Sequence, residues 1–406
     1  MTIRSDYRGP ALFSGGFRPF FLAAMLFAIG VIPAWYLAWR GEIALGGPFP
    51  AVDWHIHEMI FGYGAAVVAG FLFTAVPNWT GRLPTRGWPL AGLLALWVAG
   101  RLALAGAFPL PPTGVLAIDQ AFLLAVVAMI AREIVAGKNW RNLKVLVPVT
   151  LLWAANLAFH AEVQLEGTCD LSRRAGTALL IFLIMLIGGR IVPSFTRNWL
   201  AKAGAQRMPV PFNRFDGLCI GAGTIALVVW CVLPDTPLAG FAAAAAAGLH
   251  LGRLARWRGM ASWRSPLLLM LHAAYLMIPL GFVSVAAAAA GLAGPDVPSH
   301  LFGIGAIGGM TVAVMMRASL GHTGRNLVAG PWLTASFVLV LLAALARLAG
   351  YEPLLKGIDG ISLAAVFWTV AFALLATRLA PWLLTDKAAA RAPNARVRTT
   401  AINRQI

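Results

Sequence analysis

Charge is scarce in this sequence of 406 residues: only 12% are Asp, Glu, Lys or Arg, while 60% are hydrophobic. An ordinary soluble domain has about 25% charged residues, so the composition excludes a water-soluble globular protein. The mean hydropathy of +0.78 agrees with this exclusion. We therefore expect an all-α, polytopic membrane protein whose solvent is the lipid bilayer.

Acidic residues are scarcer still, with 15 Asp and Glu against 32 Lys and Arg and a formal net charge of +17. A basic excess can indicate nucleic-acid binding, but here the cations are scattered between apolar runs and form no basic face with interleaved aromatic residues. Nucleic acid is therefore not an expected partner. A membrane explains the excess better, because cytoplasmic loops are enriched in Lys and Arg.

Cysteine is almost absent, with only Cys169, Cys219 and Cys231. Cys219 and Cys231 are twelve residues apart on one predicted helix, about 18 Å at the helical rise, so they cannot form a disulfide. There is no Cys-x-x-Cys or Cys-x-x-Cys-His. The sequence thus indicates neither a disulfide framework, nor an iron–sulfur cluster, nor covalently attached haem.

Long apolar runs are abundant, and a run of about 20 residues is enough to span a membrane as a helix. We predict twelve such spans within a transmembrane domain of residues 1–386. They lie at about 19–39, 54–77, 88–107, 114–136, 145–165, 174–196, 215–233, 238–256, 266–292, 298–320, 331–349 and 360–382. Most of the Lys and Arg residues fall on one side if both termini are cytoplasmic, as the positive-inside rule requires. Residues 387–406 form a basic tail that we expect to be disordered and cytoplasmic.

All seven histidines lie within or at the ends of apolar runs, where ionisable groups usually line a polar cavity or hold a ligand. The predicted topology sorts them by depth into two groups. The outer group is His55, His57, His160 and His300; the inner group is His250, His272 and His322. His55 and His57 differ by about 200° around an ideal helix, so both face one site only if the helix begins between them. A single intramembrane histidine can equally be a hydrogen-bonding residue between helices.

Neutral imidazole is a common ligand of copper, zinc and haem iron. A non-covalent haem b needs one histidine from each of two helices, and His250 and His272 lie at equal depth on adjacent predicted helices. Arg190 follows two glycines at the end of the sixth span and is either a snorkelling interfacial residue or a clamp for an anionic group. Arg101 lies deeper, where a free guanidinium is costly, so we expect a partner such as Asp119, Glu58 or a haem carboxylate.

Four motifs carry a family resemblance. They are Phe17-Arg18-Pro19-Phe20-Phe21, Trp54-His55-Ile56-His57-Glu58-Met59, Gly188-Gly189-Arg190-Ile191-Val192-Pro193, and Met316-Arg317-Ala318-Ser319-Leu320-Gly321-His322. In these motifs, and along essentially all twelve spans, the sequence resembles the NnrS family. The resemblance implies a haem- and copper-containing protein of the bacterial inner membrane, tied to nitric oxide defence and denitrification.

From the resemblance and the histidines together we expect a protein that binds and reduces nitric oxide. The expected metal centre is the outer cluster of His55, His57, His160 and His300, with Glu58 as the nearest proton donor. His322 is a further expected metal ligand. Electrons would come from membrane quinol through a low-spin haem held by His250 and His272. The alternatives are non-catalytic sequestration of nitric oxide and a transporter for metal ions or protons.

Overall fold

A computed structural model of the chain describes residues 7–355 and 357–386. The basic tail at 387–406 lies outside the described residues. Twelve apolar helices make up nearly all of the described part. They are α1 Phe17–Trp39, α2 Ala51–Thr80, α3 Trp88–Leu104, α4 Pro112–Ala136, α5 Asn142–Glu166, α6 Asp170–Lys202, α7 Arg214–Val232, α8 Pro237–Ala255, α9 Pro266–Ala289, α10 Val297–His322, α11 Gly330–Leu348 and α12 Gly360–Leu384.

The prediction of a polytopic all-α protein is confirmed. Eleven of the helices are long and apolar enough to cross a membrane, and α3, with 17 residues, is a shorter apolar helix. The largest differences from the predicted spans are at α6, which runs well beyond 174–196 at both ends. The only strands in the described residues, β1 Pro353–Leu355 and β2 Ile358–Asp359, form a small antiparallel hairpin between α11 and α12.

Both ends of the described chain lie at the same end of the helical bundle, which we call the terminal end. Arg18, at the start of α1, donates hydrogen bonds to the carbonyl oxygens of Trp382, Leu383 and Thr385 at the end of α12, at 3.2, 2.8 and 2.7 Å. These carbonyls have no partner within the helix because they belong to its last turn. The buried Arg18 therefore caps α12 and joins the two ends of the domain.

Four helices lie at the centre of the bundle. Within the apolar windows of α2, α9, α10 and α6, 72%, 67%, 61% and 56% of the residues are buried, against 39% for α1. The other helices pack around them in sequential pairs, such as α3 with α4, α7 with α8, and α11 with α12. Polar residues on α2, α6, α9 and α10 are thus the ones best shielded from lipid.

Three of these central helices contain a π-helical segment: Glu58–Gly64 in α2, Ile184–Gly188 in α6 and Leu301–Gly308 in α10. A π segment widens the helix and breaks its regular hydrogen bonding, so backbone carbonyls become available to other donors. Side chains take up these carbonyls in all three: Trp97 donates to Gly62, Arg253 to Met185 and Thr311 to Ile307. Such segments often mark functional sites, and in this structure they lie in three of the four central helices.

The orientation of the bundle in the membrane stays a prediction, which reporter fusions can test. A reporter fused after residue 390 should be active in the cytoplasm, and one inserted after Thr168, in the α5–α6 loop, should be active in the periplasm. The reason is the excess of Lys and Arg at the terminal end. Reporters on the same side of the membrane would contradict the twelve-helix arrangement, and exchanged sides would contradict the orientation.

Candidate metal centre

The helix α2 directs its two outer histidines to opposite sides. The chain is already helical from Ala51, so His55 and His57 keep the separation of about 200° that an ideal helix gives. His57 points toward α5 and forms a pair with His160, with ring centroids 5.3 Å apart. His55 instead stacks on Trp35 of α1, at a centroid distance of 4.3 Å. The structure does not bring the four outer histidines together in one cluster but divides them into two pairs.

The first pair belongs to a buried polar cluster centred on Asp119 of α4. The Nε2 atoms of His57 and His160 each lie 3.2 Å from Asp119 Oδ2. Asn156 of α5 donates to the same oxygen at 2.8 Å, and its own Oδ1 lies 2.7 Å from His57 Nε2. All four side chains are buried. His57, Asp119 and His160 each offer one ligand atom within 4.8 Å of the others, so this group could hold a metal ion.

The two imidazoles of this cluster use only one of their nitrogens. The Nδ1 atoms of His57 and His160 are buried and have no hydrogen-bond partner among the described residues. Their polar interactions are concentrated on Nε2, the atom that faces Asp119. Both rings are thus held in the orientation that a shared ligand at Nε2 requires.

Arg101 of α3 supplies the positive charge of the cluster. Its Nη2 donates to Asp119 Oδ1, and its Nη1 lies 3.0 Å from Oε2 of Glu58. The expectation that Arg101 pairs with Asp119 or Glu58 is confirmed for both residues. The guanidinium also lies 5.9 Å from the centre of the Trp97 ring. Gly62 leaves room for the pair, because a Cβ there would lie 2.3 Å from Glu58 Oε2 and 2.5 Å from Arg101 Nη1.

The charges of the cluster do not balance if both carboxyl groups are ionised. One guanidinium faces two carboxylates, and the histidines add charge only when protonated. An unmatched charge is costly in a buried site of low dielectric. A proton on Glu58 or a metal cation between His57, Asp119 and His160 would restore the balance. Neither oxygen of Glu58 has a hydrogen bond among the described residues, so this side chain is free to take up a proton.

The second pair of outer histidines lines a cavity of about 150 Å³, which we call the His300 cavity. Its polar lining includes His55, His300, Arg173, Asp296 and Arg347, and its walls include Trp35, Tyr63 and Trp368. His300 Nδ1 lies 2.8 Å from the carbonyl oxygen of Asp296, one turn earlier. The contact assigns the ring proton to Nδ1 and leaves the lone pair on Nε2, as is usual for a histidine that binds a metal.

The inner histidines His250 and His272 are both buried but do not face each other across a free space. His250 Nδ1 lies 2.9 Å from the hydroxyl of Tyr275, which also accepts from Arg253 at 2.8 Å. The ring of Trp257 lies between Tyr275 and His272, with centroid distances of 4.4 and 6.5 Å. A haem between the two histidines would displace both of these buried aromatic side chains. The region around His250 is thus a packed hydrogen-bond network, and the expected haem between His250 and His272 stays a prediction.

Arg253 holds this inner network together. Its guanidinium is fully buried and donates to Asp216 at 3.0 Å, to the Met185 carbonyl at 3.0 Å and to Tyr275. A Cβ at Gly189 would lie 2.3 Å from its Nη2. The arginine thus joins α6, α7, α8 and α9 through hydrogen bonds.

The last two predicted site residues, Arg190 and His322, line a separate cavity near the terminal end. The structure does not bring either of them to the Asp119 cluster. Their expected roles, an anion clamp for Arg190 and a metal ligand for His322, stay predictions.

Comparison with known proteins agrees with this picture. The model of a protein family described as NnrS protein matches residues 11–387, nearly the whole chain. The chain belongs to the NnrS family. A search of curated proteins found no match. Membership identifies a membrane protein related to nitric oxide, and an NnrS protein with a buried group of two histidines and an aspartate has a candidate metal centre.

Sequence reasoning missed Asp119 as a possible ligand, although it named this residue as a partner of Arg101. The signal was available on α5, where Asn156 and His160 are one turn apart on one face. The i, i+4 stripe continues to Gln164, which is exposed and outside the cluster. Two members of the stripe meet Asp119, and only the packing of α4 against α5 shows this.

Replacing Arg101 by methionine tests the electrostatic role of the cluster. The R101M variant leaves Asp119 and Glu58 buried without their guanidinium, so we expect a loss of about 3–5 kcal/mol in the free energy of unfolding. The measurement is the thermal unfolding midpoint in detergent. The control is R132M, which removes an arginine on α4 that is 70% exposed and should change stability by less than about 1 kcal/mol. In the double variant R101M/D119N part of the loss should be recovered. If R101M is no less stable than R132M, the account of the charges is wrong.

Proposed function

We propose that this NnrS family member binds nitric oxide at a metal centre formed by His57, Asp119 and His160 and reduces it to nitrous oxide. The observation that carries the proposal is the convergence of two imidazole nitrogens and one carboxylate oxygen in a buried site. A three-residue ligand set leaves a coordination position open for a small substrate. Nitric oxide is small and apolar, so a site inside the membrane needs no charged entrance.

The donor set fits copper. Two imidazoles and one carboxylate oxygen suit Cu(II) and also other transition metals such as zinc and iron, whereas calcium and magnesium prefer oxygen ligands alone. Copper is the member of this group that the family resemblance implies. A bound copper ion would supply redox chemistry and polarise the substrate. Its positive charge would also balance the carboxylate of Glu58, since Arg101 alone cannot balance both Asp119 and Glu58.

Besides the expected His250–His272 pair, we propose the His300 cavity as a second candidate for holding haem b; its volume of about 150 Å³ requires the walls to open around the macrocycle. His300 has its Nε2 lone pair free, and the buried Nδ1 of His55 has no hydrogen-bond partner among the described residues. Arg173 and Arg347 line the same cavity and could pair with propionates. A haem held there would supply one-electron chemistry. His55 and His57 belong to one helical turn, so only Ile56 separates the residues of the two sites along the chain.

The chain itself would handle the protons. Reduction of two nitric oxide molecules consumes two electrons and two protons and yields one nitrous oxide and one water. Glu58 is the carboxyl group nearest to the cluster that is not bound to the histidines, and it follows His57 directly. A proton on its carboxyl group, delivered toward the cluster, would leave a carboxylate that Arg101 stabilises at 3.0 Å. Arg101 and Asn156 keep Asp119 ionised and oriented.

Membrane quinol is the electron donor that we propose, since eleven of the described helices are long and apolar enough to cross the membrane in which quinol is dissolved. The protein would act in the bacterial inner membrane, where quinol and nitric oxide are both dissolved in the lipid.

Binding without turnover is the second candidate, and one observation favours it. Asp119 already receives contacts from Arg101, Asn156, His57 and His160, and a carboxylate has about four acceptor positions. Asp119 is therefore satisfied as a hydrogen-bond acceptor without a metal ion. In that case the protein would sequester nitric oxide elsewhere, and α2 would carry only a structural ion pair.

Metal analysis separates these possibilities. Purified protein should contain about one copper ion per chain, and H57A, D119N and H160A should each lower the copper content at least about tenfold, because a lost ligand removes more than 1.4 kcal/mol of binding. H322A serves as the control, because His322 lines a different cavity, and should keep this copper. Equal copper in all variants would exclude the cluster as the metal site.

Nitric oxide consumption tests the catalytic role. With a quinol and a quinol-regenerating system under anaerobic conditions, the wild-type protein should convert nitric oxide to nitrous oxide over many turnovers. E58Q should keep its copper but lose about 10²–10⁴-fold in rate, the usual contribution of a positioned proton donor. Binding of one nitric oxide per chain with no nitrous oxide would leave only the sequestering function.

A further inference from the structure

The second large cavity of the protein has a chemistry that the proposed function does not use. It lies near the terminal end, has a volume of about 550 Å³ and is lined by α1, α2, α5, α6, α9 and α10. Because Arg317 of α10 forms part of its wall, we call it the Arg317 cavity. It is more than three times the volume of the His300 cavity.

The polar wall of the Arg317 cavity is basic. Arg190, Arg317 and His322 line it, and none of its described lining residues is Asp or Glu. The guanidinium of Arg317 lies 3.8 Å above the centre of the Phe195 ring, which fixes its position. Its Nε is buried without a hydrogen bond among the described residues. Two arginines without an acidic residue beside them in the cavity wall favour an anionic ligand.

Two asparagines also line this cavity, and each is held in a fixed orientation by a hydrogen bond. Asn78 donates through Nδ2 to the Thr74 carbonyl at 3.1 Å, and Asn142 donates to Asn139 at 3.1 Å. Each therefore directs part of its amide group to the protein itself. The side chains are held in place before a ligand binds, so less conformational entropy is lost on binding.

The opposite wall is apolar and continues beyond the cavity. Phe21, Phe71, Leu271 and Val314 line it. Phe71, Ile187, Ile191 and Val314 also line an adjoining groove of about 80 Å³ between α2, α6 and α10, which includes residues of the π segments in α6 and α10. The hydrocarbon part of a ligand in the cavity would thus lie against an apolar protein surface along its whole length.

We infer that the Arg317 cavity binds an amphipathic anion, with a phosphate or carboxylate head group between Arg190 and Arg317 and a hydrocarbon body against the apolar wall. A small inorganic anion would leave most of the 550 Å³ and the apolar wall unused. A neutral hydrocarbon would leave the two guanidinium groups without an anion beside them in the cavity wall. An anionic phospholipid of the membrane has the required chemistry.

The test compares what the purified protein retains. The variant R190Q/R317Q removes both cations of the head-group site, and R190K/R317K keeps the charges but not the planar guanidinium groups. The control R207Q/R214Q removes two exposed arginines outside the cavity. Bound phosphatidylglycerol is measured by mass spectrometry of extracted lipid, and haem per chain by the pyridine haemochromogen spectrum, in detergent containing neutral phosphatidylcholine.

We expect the wild type and the control to retain one anionic ligand per chain that R190Q/R317Q loses. The loss should be at least about tenfold in affinity, since hydrogen bonds to charged groups contribute about 1.5–3 kcal/mol each. R190K/R317K should lie between the two. Bound phosphatidylglycerol should therefore fall in R190Q/R317Q, while haem per chain stays unchanged.

Retention of the same phosphatidylglycerol by R190Q/R317Q and by the control would overturn the inference, as would a wild-type protein that retains none. A thermal unfolding midpoint in detergent equal to that of the control reports that the variant is folded. The inference stands independently of the proposed reaction with nitric oxide, because its readouts include no turnover.

Discussion

Asp119 is buried in the interior of a membrane protein, and most of the polar structure at the outer end of the bundle follows from the need to match its charge. A carboxylate there is tolerated only with close donors, because neither water nor lipid can stabilise it. Arg101, Asn156, His57 and His160 contact it from three different helices. Since these contacts join α2, α3, α4 and α5, the same group that orients the histidines also fixes how the helices pack.

The central helix α2 connects this cluster to the rest of the molecule. Its buried face carries His57 and Glu58 toward Arg101, while its other face carries His55 toward the His300 cavity. The π segment that begins at Glu58 widens the helix between these sites, and Tyr63 within it shares a 2.6 Å hydrogen bond with Thr311 of α10. A regular helix could present the same residues, but the widened turn of α2 also frees the Gly62 carbonyl, to which Trp97 donates and so holds α3. The residues proposed for function and a contact that holds a neighbouring helix thus both belong to α2.

Much of this architecture could be predicted from the sequence, because a membrane span needs a minimum apolar length and loop charges follow the side of the membrane. Those constraints placed all twelve helices, with boundary differences of several residues at α6. The pairing of Arg101 was also predictable, since a guanidinium at that depth requires an anion.

The grouping of the histidines could not be predicted from the sequence. Depth along a helix follows from residue number, but the facing direction of His55 and His57 depends on where α2 starts, and residue number cannot show that Tyr275 and Trp257 fill the space between His250 and His272. The π segments also escaped prediction, because apolar glycine-containing runs are equally compatible with a regular helix.

The proposed function depends on a metal ion held by His57, Asp119 and His160, and the position of that ion is directly measurable. Diffraction from crystals of the purified protein, collected on both sides of the copper absorption edge, locates copper by its anomalous signal. We predict one peak within about 2.0–2.2 Å of Nε2 of His57, Nε2 of His160 and Oδ2 of Asp119, the usual range for nitrogen and oxygen ligands. Copper between His55 and His300 instead, with Asp119 contacting only Arg101, Asn156 and the two imidazoles, would contradict the assignment.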